Sequence, residues 1–303
     1  MGKKQTPDEF TGAWRTGEKK KMKKDAKVLT VQDISCFGQC SLTVALPVIS
    51  AAGIECAVLP SAVLSTHTGG FKGFTFRDLT DDIPGIVSHW EKEGITFDAI
   101  YTGYLGSIRQ IDLVKDLTDR VLAPGGLRIV DPAMADNGVL YYGFDAGFAA
   151  AMAGLCATAD VVLPNITEAA LMTGLPYRAA GYDEAYITSL CRALTERGAG
   201  TVVLTGVSYK EEKLGVAVFA KGDEKPAYYM HEKLPKNSHG TGDIFAAAFT
   251  GALLRGRTPL SAAGVAAEFT LLGMKATAGD EAHWYGTKFE KALPYLVAKL
   301  NRG

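Results

Sequence analysis

Ala99-Ile100-Tyr101-Thr102-Gly103-Tyr104-Leu105-Gly106-Ser107 passes from an apolar run into a glycine-punctuated polar tip. A helical pattern follows over 107–121, and Leu127-Arg128-Ile129-Val130 then ends on Asp131-Pro132. Apolar run, helix-period segment and second apolar run make a βαβ unit, which joins parallel strands and lays its helix on the sheet face. The same alternation continues on both sides. Strand-like runs lie at Val28–Gln32, Cys56–Pro60, Ala99–Tyr101, Leu127–Val130, Val161–Leu163 and Thr201–Leu204. Helical patterns fall near 41–52, 78–93, 107–121, 145–157, 166–173 and 183–197. This predicts an α/β fold with a mainly parallel sheet covered on both faces. Gly215–Ala220 and Ala227–Glu232, joined by Lys221-Gly222-Asp223-Glu224-Lys225, carry a hairpin signature and are expected to extend one sheet edge. From residue 240 the pattern is helical, over 242–255, 259–277 and 287–300.

The chain has 303 residues, 47% hydrophobic and 21% charged, with a net charge of −1. That length supports one large α/β domain, and the charge argues against a nucleic-acid or anionic-membrane surface. The charge is unevenly spread: residues 1–27 carry a net of +5, against −6 for the rest. This segment, with Lys19-Lys20-Lys21-Met22-Lys23-Lys24, reads as a disordered basic leader ahead of a domain over 28–303. Met22 stands as an alternative start, with 1–21 an added leader. The segment lacks the apolar core of a signal peptide, and no apolar run reaches the ~20 residues that span a bilayer. Cys36, Cys40, Cys56, Cys156 and Cys191 are odd in number and sit in apolar segments, as expected for reduced, buried thiols of a cytoplasmic protein. Cys36-x-x-x-Cys40 has no partner ligands at zinc spacing.

In an open parallel sheet, ligands bind beyond the carboxyl ends of the strands. Unusual polar residues follow each of the six runs: Gln32-Asp33, Ser65-Thr66-His67-Thr68, Thr102 to Ser107, Asp131-Pro132, Pro164-Asn165-Ile166-Thr167-Glu168 and Thr205-Gly206. Six such tips on one sheet edge outline a site.

His239-Gly240-Thr241-Gly242-Asp243 then runs into the Ala-rich helix that starts Ile244-Phe245-Ala246-Ala247-Ala248. Glycines let backbone N–H groups approach an anion, and a helix N-terminus adds positive potential. A carboxylate there suits an anion hole that holds a transferring phosphoryl group while Asp243 takes the proton of the attacking hydroxyl. A capped helix with an acidic first turn is the structural alternative. Asn165 and Glu168, three apart at a helix start, suit Mg²⁺ held largely through water, or else a cap with an acidic first turn. Asp131 is a functional carboxylate or a strand-ending turn residue. Tyr104 lies flat on an aromatic substrate or packs in the core, and His67 bonds a ring substituent or serves the fold. Gly69, Gly70 and Gly73 mark 69–77 as a loop suited to closing over substrate.

The sequence holds no G-x-x-x-x-G-K-[ST], no third glycine of a dinucleotide fingerprint, no G-x-S-x-G and no H-E-x-x-H. A kinase without a P-loop must cradle phosphates otherwise, and the GTGD helix start is the available device. Thr102-Gly103-Tyr104-Leu105-Gly106-Ser107, Asp131-Pro132-Ala133-Met134, Pro164-Asn165-x-x-Glu168 and Gly240-Thr241-Gly242-Asp243, in that order, resemble the ribokinase superfamily and within it the pyridoxal kinase branch. The resemblance covers roughly 28–277 and implies a three-layer αβα fold. It also implies an ATP- and Mg²⁺-dependent kinase of the 5′-hydroxymethyl group of pyridoxal, pyridoxine or pyridoxamine. By that resemblance Asp243 is the general base, and Gly240, Thr241 and Gly242 form the anion hole. Asn165 and Glu168 order Mg²⁺ and its waters; Asp131, Asp136, Thr205 and Gly206 lie along ATP. Tyr104, His67, Thr68 and the region of Asp33 hold the pyridine ring. A homodimer is the family expectation.

One departure bears on substrate. Pyridoxal kinases usually carry a serine after the first strand, where this chain has Asp33, a carboxylate able to pair with a protonated ring nitrogen or an amine. That expectation points to pyridoxamine or another aminated ring. Ser238-His239-Gly240-Thr241-Gly242 is also similar to hydroxymethylpyrimidine kinases, which typically continue with cysteine where Asp243 stands. A hydroxymethylpyrimidine kinase of the same fold is the second expectation, and a catalytically silent vitamin-binding protein the third.

Overall fold

The structure, a computed structural model, describes residues 25–235 and 239–301. The basic leader therefore lies, apart from Asp25–Lys27, outside the described residues, as does Ser238. The strands are β1 Lys27–Ser35, β2 Glu55–Leu64, β3 Phe76–Asp78, β4 Phe97–Thr102, β5 Leu122–Val130, β6 Ala135–Asp136, β7 Val139–Leu140, β8 Val161–Val162, β9 Thr201–Lys210, β10 Lys213–Ala220 and β11 Ala227–Glu232. The helices are α1 Leu42–Ala51, α2 Ile83–Lys92, α3 Ile108–Val121, α4 Ala146–Cys156, α5 Ile166–Thr173, α6 Glu184–Glu196, α7 Thr241–Leu254, α8 Pro259–Thr277 and α9 Leu293–Asn301.

Nine strands form one sheet in the order β11-β10-β9-β8-β5-β4-β1-β2-β3, and β6 pairs with β7 apart from it. The run from β9 to β2 is parallel, while β10 and β11 add the expected antiparallel hairpin. The central strands are apolar on both faces because helices cover both. Leu29, Val31, Ile100 and Val202 pack with α2 to α6, whereas Val28, Ala99, Tyr101 and Ile129 pack with α1, α7, α8 and α9. This is the three-layer αβα arrangement.

Chain direction across the sheet reverses at β1, with β2 on one side and β4 on the other. Such a switch point opens a crevice at the carboxyl ends of the two strands, where ligands bind in doubly wound sheets. Side-chain caps fix the helices that begin near this edge. Ser107 Oγ accepts the Gln110 N–H of α3 at 3.2 Å, and Asp183 Oδ1 accepts the Tyr186 N–H of α6 at 2.9 Å.

The structure adjusts several sequence expectations: of the five cysteines expected to be buried, Cys36 is exposed and Cys40 and Cys56 are half-buried. Asp33 lies within β1, where the pairing with β2 shifts register between Gln32 and Ile34. Such an irregularity re-aims a side chain without ending the strand. Thr205 and Gly206 likewise fall inside β9, at a register shift against β10, with Gly206 at φ 78°. The loop expected over 69–77 ends in β3, which pairs antiparallel with β2. The helix expected from 78 starts at Ile83, and the last helix starts at Leu293 after a 3₁₀ turn at Phe289–Lys291.

Candidate active site

The N-terminus of α7 is held open by a glycine. Gly240 caps the helix at φ 76°, and a Cβ there would lie 2.2 Å from the Gln39 carbonyl oxygen. Only glycine fits both the backbone angle and the approach. The Thr287 hydroxyl, fully buried, donates to the His239 carbonyl at 3.3 Å and fixes the entry to this turn. From Ile244 to Leu254 every residue of α7 is buried, so the helix is anchored in the core while its first turn meets solvent. No atom lies within 4 Å of a Cβ built on Gly242, which leaves space in front of that turn. The first N–H groups of a helix lack intrahelical acceptors and carry the positive end of its dipole.

Against this turn lies the segment Gly38–Ser41, which sequence reasoning missed. Gly38, Gln39 and Ser41 have φ of 118°, 56° and 54°. Positive φ at two non-glycine residues is strain that the surroundings must hold in place. Gly38 sits where a Cβ would strike the His67 ring at 2.1 Å, so the segment is clamped between His67 and Gly240. Its reward is the placement of Ser41 beside two carboxyls, where its N–H favours the ionised form of Asp243 and its hydroxyl that of Asp33. Ser35 Oγ adds a second hydroxyl to Asp33, at 2.9 Å from Oδ2.

The two carboxyls are electrostatically linked. Burial pushes the pKa of Asp243 up to about 7, the Ser41 N–H opposes that rise, and the charge of Asp33 adds to it. Asp33, only 4% exposed, is raised chiefly by burial and lowered in part by Ser41 and Ser35. The Cys40 thiol is held well above its usual range by burial, then by Asp243 and Asp33, as expected for an inert thiol beside two acids.

Asp131, just beyond β5, is buried, and its Oδ1 accepts the Ala133 N–H at 3.2 Å. Burial raises its carboxyl strongly, and Glu168 and Asp243 raise it further. Glu168 accepts the Met134 and Asn165 N–H groups at 2.9 Å each. Asn165 Oδ1 accepts the Glu168 N–H at 2.9 Å, and Asn165 Nδ2 donates to the Ala135 carbonyl at 2.7 Å. The pair is a complete capping box that also ties the turn after Asp131 to α5. Burial pushes Glu168 up to about 7 despite these donors. Asp136 is exposed and caps the Asn137 N–H at 2.9 Å in the β6–β7 turn. Thr205 donates its N–H to the Pro164 carbonyl at 2.9 Å, and the Tyr182 hydroxyl bridges the Gly206 carbonyl and the Ser208 N–H.

On the other side of α7, Tyr104 stacks on Phe144 with centroids 5.6 Å apart, and its hydroxyl is pushed up to about 12 by burial, then by Asp33. Both His67 nitrogens are committed: Nδ1 accepts the Gly69 N–H at 3.1 Å, and Nε2 donates to the Tyr285 carbonyl at 2.7 Å. Its ring neighbours His239 at 5.2 Å and Phe71 at 5.0 Å, and Phe71 packs on Trp284 at 4.6 Å. These rings roof the Gly38–Ser41 segment, while Thr68 is exposed. The structure thus joins Asp33, Tyr104 and His67 to Asp243 on one side, and Asp131 and Glu168 to it on the other.

Among the described residues no lysine or arginine ion-pairs with Asp131, Glu168 or Asp243. Buried carboxyls without a cation keep their protons or take up a counter-ion. No group of three His, Cys, Asp or Glu side chains among the described residues is close enough to hold a metal alone. Carboxyl and amide oxygens suit a hard divalent cation, and because both Glu168 oxygens already accept backbone N–H groups, this pair would hold one through water.

The family model described as phosphomethylpyrimidine kinase matches residues 49–284. A candidate phosphomethylpyrimidine kinase from Bacteroides thetaiotaomicron, crystallised with pyridoxal, is 38% identical; the alignment covers 90% of this chain and 96% of that one, with a TM-score of 0.84. Pyridoxal kinase from Lactobacillus plantarum is 32% identical over 90% of this chain and 97% of that one, with a TM-score of 0.83. The thiamine biosynthetic bifunctional enzyme TH1 of Arabidopsis thaliana is 26% identical over 253 residues, which is 82% of this chain and 46% of that protein. This chain thus spans about half the length of that plant relative.

Proposed function

The chain belongs to the phosphomethylpyrimidine kinase family, on the pyridoxal kinase branch of the ribokinase superfamily, and from that premise we propose that it phosphorylates the 5′-hydroxymethyl group of a vitamin B6 form with ATP. One observation supports this most: a carboxyl with its pKa near 7 stands at a glycine-opened helix N-terminus. A base with that pKa, within reach of an anion hole, is what hydroxyl activation at neutral pH requires.

The ring of the substrate lies between Tyr104 and the wall formed by His67 and Thr68, with Asp33 at its edge. Asp243 takes the hydroxyl proton as the oxygen attacks the γ-phosphorus, and the bond from that phosphorus to the β-bridging oxygen breaks, releasing ADP. Gly240, Thr241 and Gly242 turn the first N–H groups of α7 toward the charge on the transferring group. Asp131, Asp136, Thr205 and Gly206 line the nucleotide. A bound Mg²⁺ would supply charge neutralisation on the phosphates, held by Glu168 and Asn165 largely through water. Phosphoryl transfer demands positioning and charge compensation more than covalent help from the protein. The reading carries with it a cytoplasmic homodimer, and among the described residues no helix is long and apolar enough to cross a membrane.

Asp243→Ala tests the base. Turnover falls by about 10²–10⁴ with nucleotide affinity little changed, as expected when a general base is removed. Unchanged turnover would refute the role. Phosphorylation of a hydroxymethylpyrimidine is the second reading, favoured by the family model that matches residues 49–284.

A further inference from the structure

The two walls of the substrate slot belong to different parts of the chain. One is the tip of β4, with Tyr104; the other is the loop of the β2–β3 hairpin, with His67 and Thr68. Gln110, in the first turn of α3 and only 1% exposed, is bonded to both. Its Oε1 accepts the Gly106 N–H at 2.7 Å, two residues beyond Tyr104. Its Nε2 donates to the Ser61 carbonyl of β2 at 3.1 Å and to Thr80 Oγ1, just after β3, at 2.8 Å. The Thr80 hydroxyl holds the Asp78 carboxyl below its usual range, so it donates to an ionised group and keeps a lone pair for Gln110. One end of the amide therefore meets only a donor and the other only acceptors, which fixes its orientation. Packing alone would be met here by an apolar side chain of the same length. A fully paired buried amide instead specifies one arrangement of the groups around it, and here those groups lie on the two walls.

We propose that Gln110 is a positioning residue that fixes the spacing between these walls, and so sets both the affinity for the substrate ring and the size of ring substituent the slot admits. The inference rests on the kinase reading above and deepens it. Neither wall has much else to hold it. The hairpin joins β2 through three residue pairs only, Ala62 with Asp78, Val63 with Arg77 and Leu64 with Phe76, and all three residues of β3 are exposed. Its inward attachment beyond them is Thr80, buried against Gln110. The β4 tip is tied to Gln110 twice, by the Gly106 N–H and by Ser107 Oγ, which accepts the Gln110 N–H at 3.2 Å. Segments with few buried apolar contacts open at low cost, so their spacing depends on bonds of this kind. The base and the anion hole stand on α7, which Gln110 does not touch. Releasing Gln110 therefore weakens contacts to the ring equally before and during phosphoryl transfer. That is a loss of uniform binding, which raises KM and leaves kcat in place.

The test compares wild type with Gln110→Met, which keeps the length and apolar packing of the side chain and loses its three bonds. ADP release is followed with pyridoxine and with a pyridoxine benzyl ether, blocked on the hydroxymethyl group that is not phosphorylated. The variant is expected to raise KM for pyridoxine by about tenfold, the affinity carried by the net free energy of one hydrogen bond. KM for ATP and kcat should stay within about twofold, as uniform binding requires. The preference for pyridoxine over the bulkier ether, as a ratio of kcat/KM, should fall, because a released slot widens. Thr80→Val keeps the bonds of Gln110 to Gly106 and Ser61 and removes the one to the hairpin, so it should shift the same quantities in the same direction by less. It decides the matter if Gln110→Met does not fold. A lower melting temperature with KM and the ether preference unchanged would confine Gln110 to the fold and overturn the proposal. So would a fall in kcat alone. Absence of wild-type turnover on pyridoxine, pyridoxal and pyridoxamine would instead overturn the kinase reading, and the inference with it.

Discussion

Replacing Asp243 by Asn should stabilise the fold while silencing it, and only above a defined pH. The Asp243 carboxyl ionises near 3.8 in the unfolded chain but near 7 in the fold. Between those values the folded protein binds a proton that the unfolded chain has released, so this group makes stability fall as pH rises through the window and level off above it. At ~1.4 kcal/mol per tenfold change in proton affinity, the ionised carboxylate costs up to about 4 kcal/mol at pH 8. Water reaching the partly exposed group trims this to about 2–4 kcal/mol. Asn keeps an oxygen for the Ser41 N–H and carries no charge. Its melting temperature without nucleotide or Mg²⁺ should therefore exceed wild type by about 3–6 °C at pH 8, given the unfolding entropy of a chain this long. Near pH 4 the two should melt together. Scanning calorimetry at both pH values reads this directly. A variant no more stable than wild type at pH 8, or an equal offset at both pH values, would refute the argument that Asp243 is held against its ionisation.

Two further substitutions follow from the geometry. Gly240→Ala would place a methyl group 2.2 Å from the Gln39 carbonyl at a φ of 76°, so it should cost roughly 1–3 kcal/mol in denaturant unfolding and displace the Gly38–Ser41 segment with a loss of turnover. Normal stability with full activity would show that the close approach is unnecessary. Asn165→Ala removes one half of the capping box and its bond to the Ala135 carbonyl, which should cost about 1–2 kcal/mol and raise the Mg²⁺ concentration needed for half-maximal rate. Unchanged Mg²⁺ dependence would confine Asn165 to the cap.

Much of this site could be read from the chain because strand tips are local features. Asp131 follows the apolar β5 run and Tyr104 follows β4, so period-2 and period-3.6 patterning places both on one sheet edge. The Asn165-x-x-Glu168 spacing left a water-mediated Mg²⁺ pair and a helix cap both open, and the structure contains the cap as a complete capping box. What stayed hidden depends on contacts distant in sequence. Ser41 lies in no motif, and its conformation is imposed by His67 and Gly240. The register shift that aims Asp33 arises from pairing with β2, which single-strand patterning cannot reveal. Phe144, forty residues beyond Tyr104, gave no sign in the sequence that it would stack on that ring. His67 could be seen as polar and near the site, but its two backbone partners depend on the chain returning at Tyr285.

The most direct measurement is coupled ADP release by the full chain with Mg-ATP and, in turn, pyridoxal, pyridoxine, pyridoxamine and hydroxymethylpyrimidine. The account predicts fast turnover on a B6 form, cut by about 10²–10⁴ in Asp243→Ala. Turnover on hydroxymethylpyrimidine alone would contradict the substrate assignment while keeping the phosphoryl-transfer site, and no turnover on any of the four would contradict the kinase reading itself.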